Sequence, residues 1–195
     1  MRCPYCRTRL TETAVECPKC VLTLDRASAL LGAVPRLGRG VCDTTGVLTR
    51  PEVQKLAKAA TRLCWRFPQI TFDILLHGFP LDHPFDLHVF WIFNSGSFSS
   101  ESAKGGENRG ILLALDPGQG KSALMVGYGL EPFLGDEAME HLLELSEPAW
   151  KAGAWAAGIH EVIAGLDRLL ESAATEAAAA FGLQARASTG RGSDF

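Results

Sequence analysis

The first residues whose types and spacing could do chemistry are two Cys-x-x-Cys pairs near the start of the chain, Cys3 with Cys6 and Cys17 with Cys20. Two thiolates at this spacing reach one metal ion from a single tight turn, and two such turns supply the tetrahedral set of four sulfurs that suits Zn²⁺. The protein provides all four ligands, so the ion keeps no open position for a substrate and its role is structural. We therefore predict a small zinc ribbon over residues 1–23, whose folding energy comes from the metal.

A redox dithiol and an iron–sulfur site are the alternatives for these cysteines. A redox Cys-x-x-Cys normally occurs singly beside a βαβ pattern, whereas here two pairs occur with no strand pattern before them. The module resembles the short zinc ribbons at the front of many bacterial proteins, which often contact protein or nucleic acid. The two remaining cysteines, Cys42 and Cys64, are predicted to be small buried residues.

Three common functional motifs are not found in the sequence. Residues 118–122 (GQGKS) look like the end of a phosphate-binding loop, but the glycine required five positions before Gly120 is Leu115. A strand pattern follows where that motif needs a helix, so we interpret Lys121 as part of a hairpin turn. The five histidines contain no His-x-x-x-His pair, and the chain has no Gly-x-Ser-x-Gly elbow.

The elements that must position these residues alternate from Val41 onwards. Thr49 and Glu52 form a predicted capping box at the start of a helix that should end before Pro68. A strand, a helix, two strands joined as a hairpin and two helices are predicted to follow, at residues 70–77, 85–93, 110–115, 122–128, 136–150 and 155–180. This order predicts a mixed sheet with helices on both faces, a three-layer α/β/α sandwich preceded by the zinc ribbon.

The predicted domain organisation has four parts. The zinc ribbon is followed by a linker at residues 24–40, with one helical turn at 27–31 and solvated arginines. Residues 41–180 form the α/β domain and residues 181–195 a flexible tail. A polar stretch at residues 95–109 has no apolar periodicity, and its length predicts a mobile or functional loop.

Four segments of the main domain, taken in order, resemble the TPM domain family. They are residues 41–49 (VCDTTGVLT), 106–117 (GENRGILLALDP), 123–131 (ALMVGYGLE) and 150–158 (WKAGAWAAG). The similarity extends over about residues 41–172, and the Gly-Tyr-Gly-Leu-Glu run is its most specific part. The resemblance implies an α/β/α sandwich, binding of divalent ions and the phosphatase activity ascribed to some members.

The residues that the resemblance suggests for a divalent ion are oxygen-bearing side chains in loops. Asp43 precedes the first predicted helix of the domain, Glu107 and Asn108 precede one strand, and Asp116 ends it. Such ligands suit Mg²⁺ or Ca²⁺. Glu107 and Asp116 lie at opposite ends of one predicted strand, about 20 Å or more apart by strand rise, and cannot share an ion. The predicted set is Asp43, Glu107 and Asn108, provided that their loops meet at one end of the sheet; ordinary loop and turn roles are the alternative.

Composition and charge limit the class of protein. The chain of 195 residues is 47% hydrophobic and 21% charged, with a formal net charge of −3, which is typical of a globular fold and does not demand a nucleic acid or membrane partner. The polar start lacks the apolar core of a secretory signal, and no stretch reaches the ~18 apolar residues of a membrane span. We expect a cytoplasmic protein, in a compartment where cysteines bind metal rather than form disulfides.

Three functional hypotheses follow. The leading one is a non-catalytic or weakly catalytic TPM-like domain with a zinc ribbon, which binds protein partners as an accessory module. The second is a divalent-metal-dependent phosphatase of low activity that uses the three-residue ion set, although no nucleophile or base is evident. The third is a nucleic-acid contact through the ribbon, helped by its basic residues Arg2, Arg7, Arg9 and Lys19.

Overall fold

Five helices and four strands make up the part of the chain that the computed structural model describes, residues 2–11, 14–33, 35, 37–38, 40–95 and 108–180. The helices α1 to α5 span Leu24–Leu31, Arg50–Arg66, Phe85–Ser95, Asp136–Lys151 and Trp155–Ala180. The strands β1 to β4 span Val41–Asp43, Thr71–Leu76, Gly110–Asp116 and Lys121–Val126. No helix among these residues has the length and apolar character needed to cross a bilayer.

The four strands form one mixed sheet in the order β1-β2-β3-β4. The first three run parallel, and β4 pairs antiparallel with β3 as the second strand of a hairpin. The carboxyl ends of β1, β2 and β3 therefore lie together at what we call the carboxyl end of the sheet. Because β4 runs in the opposite direction, it begins at this end with Lys121 and finishes at the amino end with Val126.

Alternate residues of the central strand β3 supply the core of two different layers. Ile111, Leu113 and Leu115 pack with α2, α4 and α5 on one face of the sheet. Leu112 and Ala114 pack with α1, α3 and the cysteine module on the other. All seven residues of β3 are buried, as expected for a central strand covered on both faces. The predicted fold class, an α/β fold with helices on both faces of a mixed sheet, is confirmed.

Local signals located most element boundaries correctly. The amide of Thr49 donates to Glu52 Oε2 at 2.7 Å, and a proline occupies the first turn of α2, so the predicted helix start is confirmed. This helix ends at Arg66, before Pro68, and the next predicted strand is β2. The predicted hairpin also forms, with Lys121 at the first position of its second strand.

The segment predicted as a linker contains a helix. Helix α1 is longer than the single predicted turn at residues 27–31, and its Ala27 is fully buried against the layer formed by α3. Arg26 is exposed, as predicted, and its guanidinium also donates to the carbonyl oxygens of Cys20 and Val21 at 3.2 and 3.4 Å. The other two linker arginines, the tail at 181–195 and residues 96–107 of the polar loop lie outside the described residues.

Candidate functional site

The four cysteine thiols predicted to bind zinc lie together. Their Sγ atoms are all within 4.8 Å of one another, with 3.6 Å between Cys3 and Cys20 and 3.5 Å between Cys6 and Cys17. Sulfurs bound to zinc in a tetrahedron, with Zn–S bonds of about 2.3 Å, lie about 3.8 Å apart. The geometry therefore fits one tetrahedral metal ion. Among the described residues, no other group of three or more Cys, His, Asp or Glu side chains is as close.

The two Cys-x-x-Cys turns have the same backbone hydrogen bonds. In each turn the amide of the first cysteine donates to the carbonyl five residues later, and the amide four residues later donates back to that cysteine. The participants are Cys3, Arg7 and Thr8 in one turn and Cys17, Val21 and Leu22 in the other, at distances of 2.8 to 3.0 Å. The residue after the second cysteine has a left-handed φ in both turns, 61° at Arg7 and 54° at Val21. A β-branched residue rarely adopts this conformation, so the duplicated turn must be held by its surroundings.

The cysteine module packs against the α/β domain. Cys3 and Cys17 are 0% and 2% exposed and belong to the same apolar cluster as residues of α3 and β2. Arg7 of the first turn also forms an ion pair with Asp86 of α3. Burial raises the pKa of Asp86, and the nearby Arg7 charge opposes that rise. The cysteine module thus extends the layer formed by α1 and α3.

The thiols of the cluster differ in acidity. Burial raises the pKa of Cys3 and raises that of Cys20 to about 12. Hydrogen bonding to Thr8 lowers the pKa of Cys6 to about 6. Metal binding to this cluster must therefore displace protons from its buried thiols, and the affinity for the ion should fall as the pH is lowered.

Asp43, the first residue of the predicted divalent-ion set, uses both carboxylate oxygens within its own loop. Oδ1 accepts hydrogen bonds from the Thr45 amide and hydroxyl and from the Gly46 amide at 2.7 to 2.9 Å, and Oδ2 accepts one from the Leu48 amide at 2.8 Å. Burial disfavours the charged carboxylate, but these hydrogen bonds outweigh it and lower the pKa of Asp43. The side chain organises the connection from β1 to α2.

Asp116 also has a structural role. Its side chain is 1% exposed, and Oδ2 accepts from the Phe79 amide at 2.8 Å. The backbone amide of Gln119 donates to Oδ1, and the side-chain amide of Gln119 donates to Oδ2. The carboxylate thereby joins the β3–β4 turn to the segment after β2.

The sheet does not bring the predicted ion ligands together. Asp43 aligns with Leu76 and, through it, with Leu115 at the carboxyl end. Asn108 lies two residues before β3, at the amino end, so strand rise separates it from Asp43 by about 20 Å or more. The predicted set required both loops at one end of the sheet, and that condition is not met. Glu107 lies outside the described residues.

Asn108 contributes to the amino end of the hairpin through its backbone. It has a φ of 53°, and its carbonyl accepts a hydrogen bond from the Gly129 amide at 3.1 Å. A Cβ atom on Gly127 would lie 2.0 Å from the same carbonyl oxygen. The first glycine of the Gly-Tyr-Gly run thus permits a close backbone approach.

A groove that the sequence did not predict runs along the outer side of β4. It encloses about 270 Å³ and is lined by residues 122–128, by Phe90 and Phe93 of α3, and by Met139, Glu140 and Leu143 of α4. We call it the β4 groove. Sequence patterning identified β4 as a strand but carried no signal that it would be the last strand of the sheet. The groove exists because no further strand of the described chain pairs with β4.

The comparison with known families bears on the second half of the chain. Residues 98–169 match the family model of the TPM domain. The match extends through β3, β4 and α4 into α5 and includes the three segments quoted above that lie wholly within this range. The sequence matches none of the curated proteins.

Three solution NMR structures share the fold. The N-terminal domain of a protein from P. gingivalis is 19% identical, with a TM-score of 0.53 over 75% of this chain and 88% of that one. The BA42 protein of the psychrophilic bacterium Bizionia argentinensis is 13% identical, with a TM-score of 0.56 over 67% and 86%. The N-terminal domain of the cg2496 protein of Corynebacterium glutamicum is 14% identical, with a TM-score of 0.50 over 81% and 88%. At these identities the likeness shows the fold alone.

Proposed function

We propose that this chain is a non-catalytic, TPM-like binding or accessory module of the cytoplasm whose cysteine module holds one structural zinc ion. The observation that carries the proposal is the cluster of four thiols within 4.8 Å, presented by two matching turns. Four protein sulfurs close the coordination sphere of Zn²⁺, which suits a structural ion. A reducing compartment keeps such thiols available for metal.

The zinc proposal is tested on the full chain. We expect one zinc per chain by inductively coupled plasma mass spectrometry, and a lower thermal midpoint after treatment with a strong chelator. The midpoint should fall for the whole protein, because the cysteine module shares an apolar cluster with α3 and β2. A chain that is purified without metal and unfolds at the same temperature with and without zinc would contradict the proposal.

The non-catalytic part of the proposal rests on how the carboxylates are used. Asp43 accepts four hydrogen bonds from its own loop, and Asp116 accepts three, two from its own turn and one from the Phe79 amide. A metal-dependent phosphatase site would need several such side chains close together and free to bind a metal ion and a phosphate. In the described chain, Asp43 at the end of β1 and Asn108 before β3 lie at opposite ends of the sheet.

The alternative is a divalent-metal-dependent phosphatase, which the resemblance to the TPM family suggests, and it predicts a different result. Hydrolysis of p-nitrophenyl phosphate should be measured with Mg²⁺, Ca²⁺ and Mn²⁺, for the natural chain and for Asp43→Asn. We expect no ion-dependent rate above the protein-free control. An ion-dependent rate that Asp43→Asn abolishes would overturn the non-catalytic assignment, provided that the variant keeps a native amide NMR spectrum.

For the nucleic-acid alternative, one of the four basic residues of the ribbon is already engaged in an ion pair within the fold. Arg7 is paired with Asp86 of α3, and the chain as a whole has a formal net charge of −3. Binding through the remaining ribbon cations would weaken steeply with salt. We expect no anisotropy change with a fluorescent single-stranded oligonucleotide at physiological salt.

A further inference from the structure

We propose that the free side of β4 binds an extended peptide segment of a partner protein, which adds a fifth strand to the sheet within the β4 groove. This inference rests on the proposed function as a binding module and names the surface and the partner's chemistry. Extended peptides commonly bind sheets in this way, with main-chain hydrogen bonds for affinity and side-chain pockets for specificity.

The backbone of β4 offers unpaired hydrogen-bonding groups to the groove. The Gly127 amide donates to the Gly110 carbonyl at 2.9 Å, and antiparallel pairs alternate between hydrogen-bonded and non-hydrogen-bonded positions. Counting from that pair, Ser122, Leu124 and Val126 direct their amides and carbonyls away from β3. Within the described part of the chain, no residue hydrogen-bonds to these groups on the groove side. An edge of this kind is a template for another strand.

The groove has two walls of different character. The α3 wall presents the partly buried Phe90 and buried Phe93, and its rim carries polar and charged side chains, among them the ion pair of Arg7 and Asp86. The α4 wall combines Met139 and Leu143 with the exposed carboxylate of Glu140. Side chains of an added strand would alternate between the two walls, as those of β4 itself do between the two faces of the sheet.

The walls specify the chemistry of the partner segment. Side chains facing the α3 wall should be apolar, with β-branched residues favoured by the strand conformation. Side chains facing the α4 wall should be lysine or arginine, because their methylene stems can cover Met139 and Leu143 while their charge lies near Glu140. The groove continues at the Lys121 end into a cavity of about 610 Å³. Glu140, Glu144 and Glu147 line this cavity together with Lys121 and Lys151, and Lys151 is paired with Glu147. The favoured partner is an extended segment that alternates apolar and basic residues.

A second copy of the chain fits the groove poorly. Its own β4 lies between the same two walls, so we expect α3 and α4 of the two copies to hinder pairing of the two strands. A single extended segment has no such walls. If the purified chain were nevertheless a dimer by analytical ultracentrifugation, and Ser122→Pro made it monomeric, the peptide assignment would be overturned in favour of pairing between copies.

The test uses the zinc-loaded full chain and a fluorescein-labelled heptapeptide, Val-Lys-Val-Lys-Val-Lys-Val, followed by fluorescence anisotropy. Two further peptides carry N-methyl groups on either the valine or the lysine amides. Alternate amides of a strand point to opposite sides, so one methylated peptide should lose about tenfold or more in affinity and the other should bind like the parent. Equal effects on the two methylated peptides, or no binding of the parent, would overturn the proposal.

Variants of the chain test the same site. Ser122→Pro removes a groove-side amide without removing a bond to β3, and should weaken binding about tenfold, whereas Ser122→Ala should not. Glu140→Lys should weaken binding and reduce its salt dependence, and Glu140→Gln should lie between it and the natural chain. Unchanged affinity in both Ser122→Pro and Glu140→Lys would place binding elsewhere.

The zinc content and thermal midpoint of every variant separate this inference from the proposed function. A folded chain with one zinc that does not bind the peptide overturns the groove assignment alone. A folded chain without zinc overturns the structural-zinc proposal, whatever the peptide does.

Discussion

The Cα atom of Gly127 lies against the peptide group of Asn108, so closely that an added Cβ would be 2.0 Å from the Asn108 carbonyl oxygen and 2.6 Å from its carbonyl carbon. This contact joins the residue after β4 to the residues before β3. It gives part of the Gly-Tyr-Gly run, which the resemblance to the TPM family had emphasised, a packing role at the amino end of the hairpin.

Replacing Gly127 by alanine should therefore destabilise the fold. The contact is with backbone, which cannot rotate away, so we expect Gly127→Ala to lower the free energy of unfolding by about 3 kcal/mol. Gly78→Ala is the matched control, because a Cβ there meets nothing within 4 Å, and it should change stability by less than about 0.5 kcal/mol. Urea denaturation measures both. Equal stability of the two variants would show that the hairpin end can relax.

Serine at position 3 should remove the metal and weaken the whole protein. Cys3 is fully buried, its Sγ is one of the four clustered sulfurs, and it packs in the cluster shared with α3. We expect Cys3→Ser to lose its zinc and several kcal/mol of stability, since metal binding energy is folding energy in such modules. Cys42 is partly buried and does not belong to the four clustered sulfurs, so Cys42→Ser should keep one zinc per chain. Retention of zinc by Cys3→Ser would exclude the four-sulfur site.

Asp43 should matter for stability in a pH-dependent way. Asn at this position cannot accept from all four donors, so we expect Asp43→Asn to cost about 2 kcal/mol at neutral pH. The pKa of Asp43 is lowered in the folded state, so its contribution is fully present above the ordinary aspartate pKa near 4 and is lost as the pH falls through the lower folded-state value. Denaturation of the natural chain and of the variant between neutral pH and strong acid should show the difference shrinking. A difference independent of pH would mean that the lost bonds do not depend on the charge.

His88 should make the fold sensitive to mild acid. Its side chain is buried in α3, and Nε2 lies 3.4 Å from Asp82 Oδ1 without a hydrogen bond. Burial lowers the pKa of His88 although the Asp82 charge opposes this, and the nearby His83 and His77 lower it further. The unfolded chain therefore binds the proton more readily, so stability should be complete above about pH 6.5 and fall below it.

The variant His88→Met tests this prediction by removing the titrating group while keeping an apolar side chain. Its stability should change less between pH 7 and about pH 5 than that of the natural chain. His141→Gln is the control, because that histidine is on the exposed side of α4, and it should retain the natural pH dependence. If His88→Met and the natural chain showed the same slope, the acid sensitivity would belong to other groups.

Several parts of the fold were predictable because their signals are local. The capping pair Thr49 and Glu52 is separated by one helical turn, and the starts of α4 and α5 were predicted at the residues where they occur. The strand β1 was not predicted, because three residues are too few to show the alternating pattern of a strand. They become a strand only by pairing with β2. Helix α1 was predicted too short, although it has a local start signal: the Thr23 hydroxyl accepts a hydrogen bond from the Arg26 amide at 3.1 Å.

The candidate ion site shows where prediction from the sequence stopped. Asp43, Glu107 and Asn108 were grouped because each precedes or follows a predicted element. Their distance depends on the order and direction of strands, which are set by contacts between residues far apart in the chain. The hydrogen bonds that occupy Asp43 were equally invisible, because they depend on the path of the loop before α2.

By itself the sequence determined the four cysteines of one candidate metal site and the succession of helices and strands from α2 to α5. It could do so because thiolate spacing in a tight turn and the periodicity of helices and strands are properties of neighbouring residues. Only the tertiary structure decided that the cysteine module packs on α3, that Asp43 and Asn108 lie at opposite ends of the sheet, and that β4 is the last strand of the sheet within the described residues. Each of these is set by which elements pack together, and that choice is made by the buried apolar surface of the whole chain.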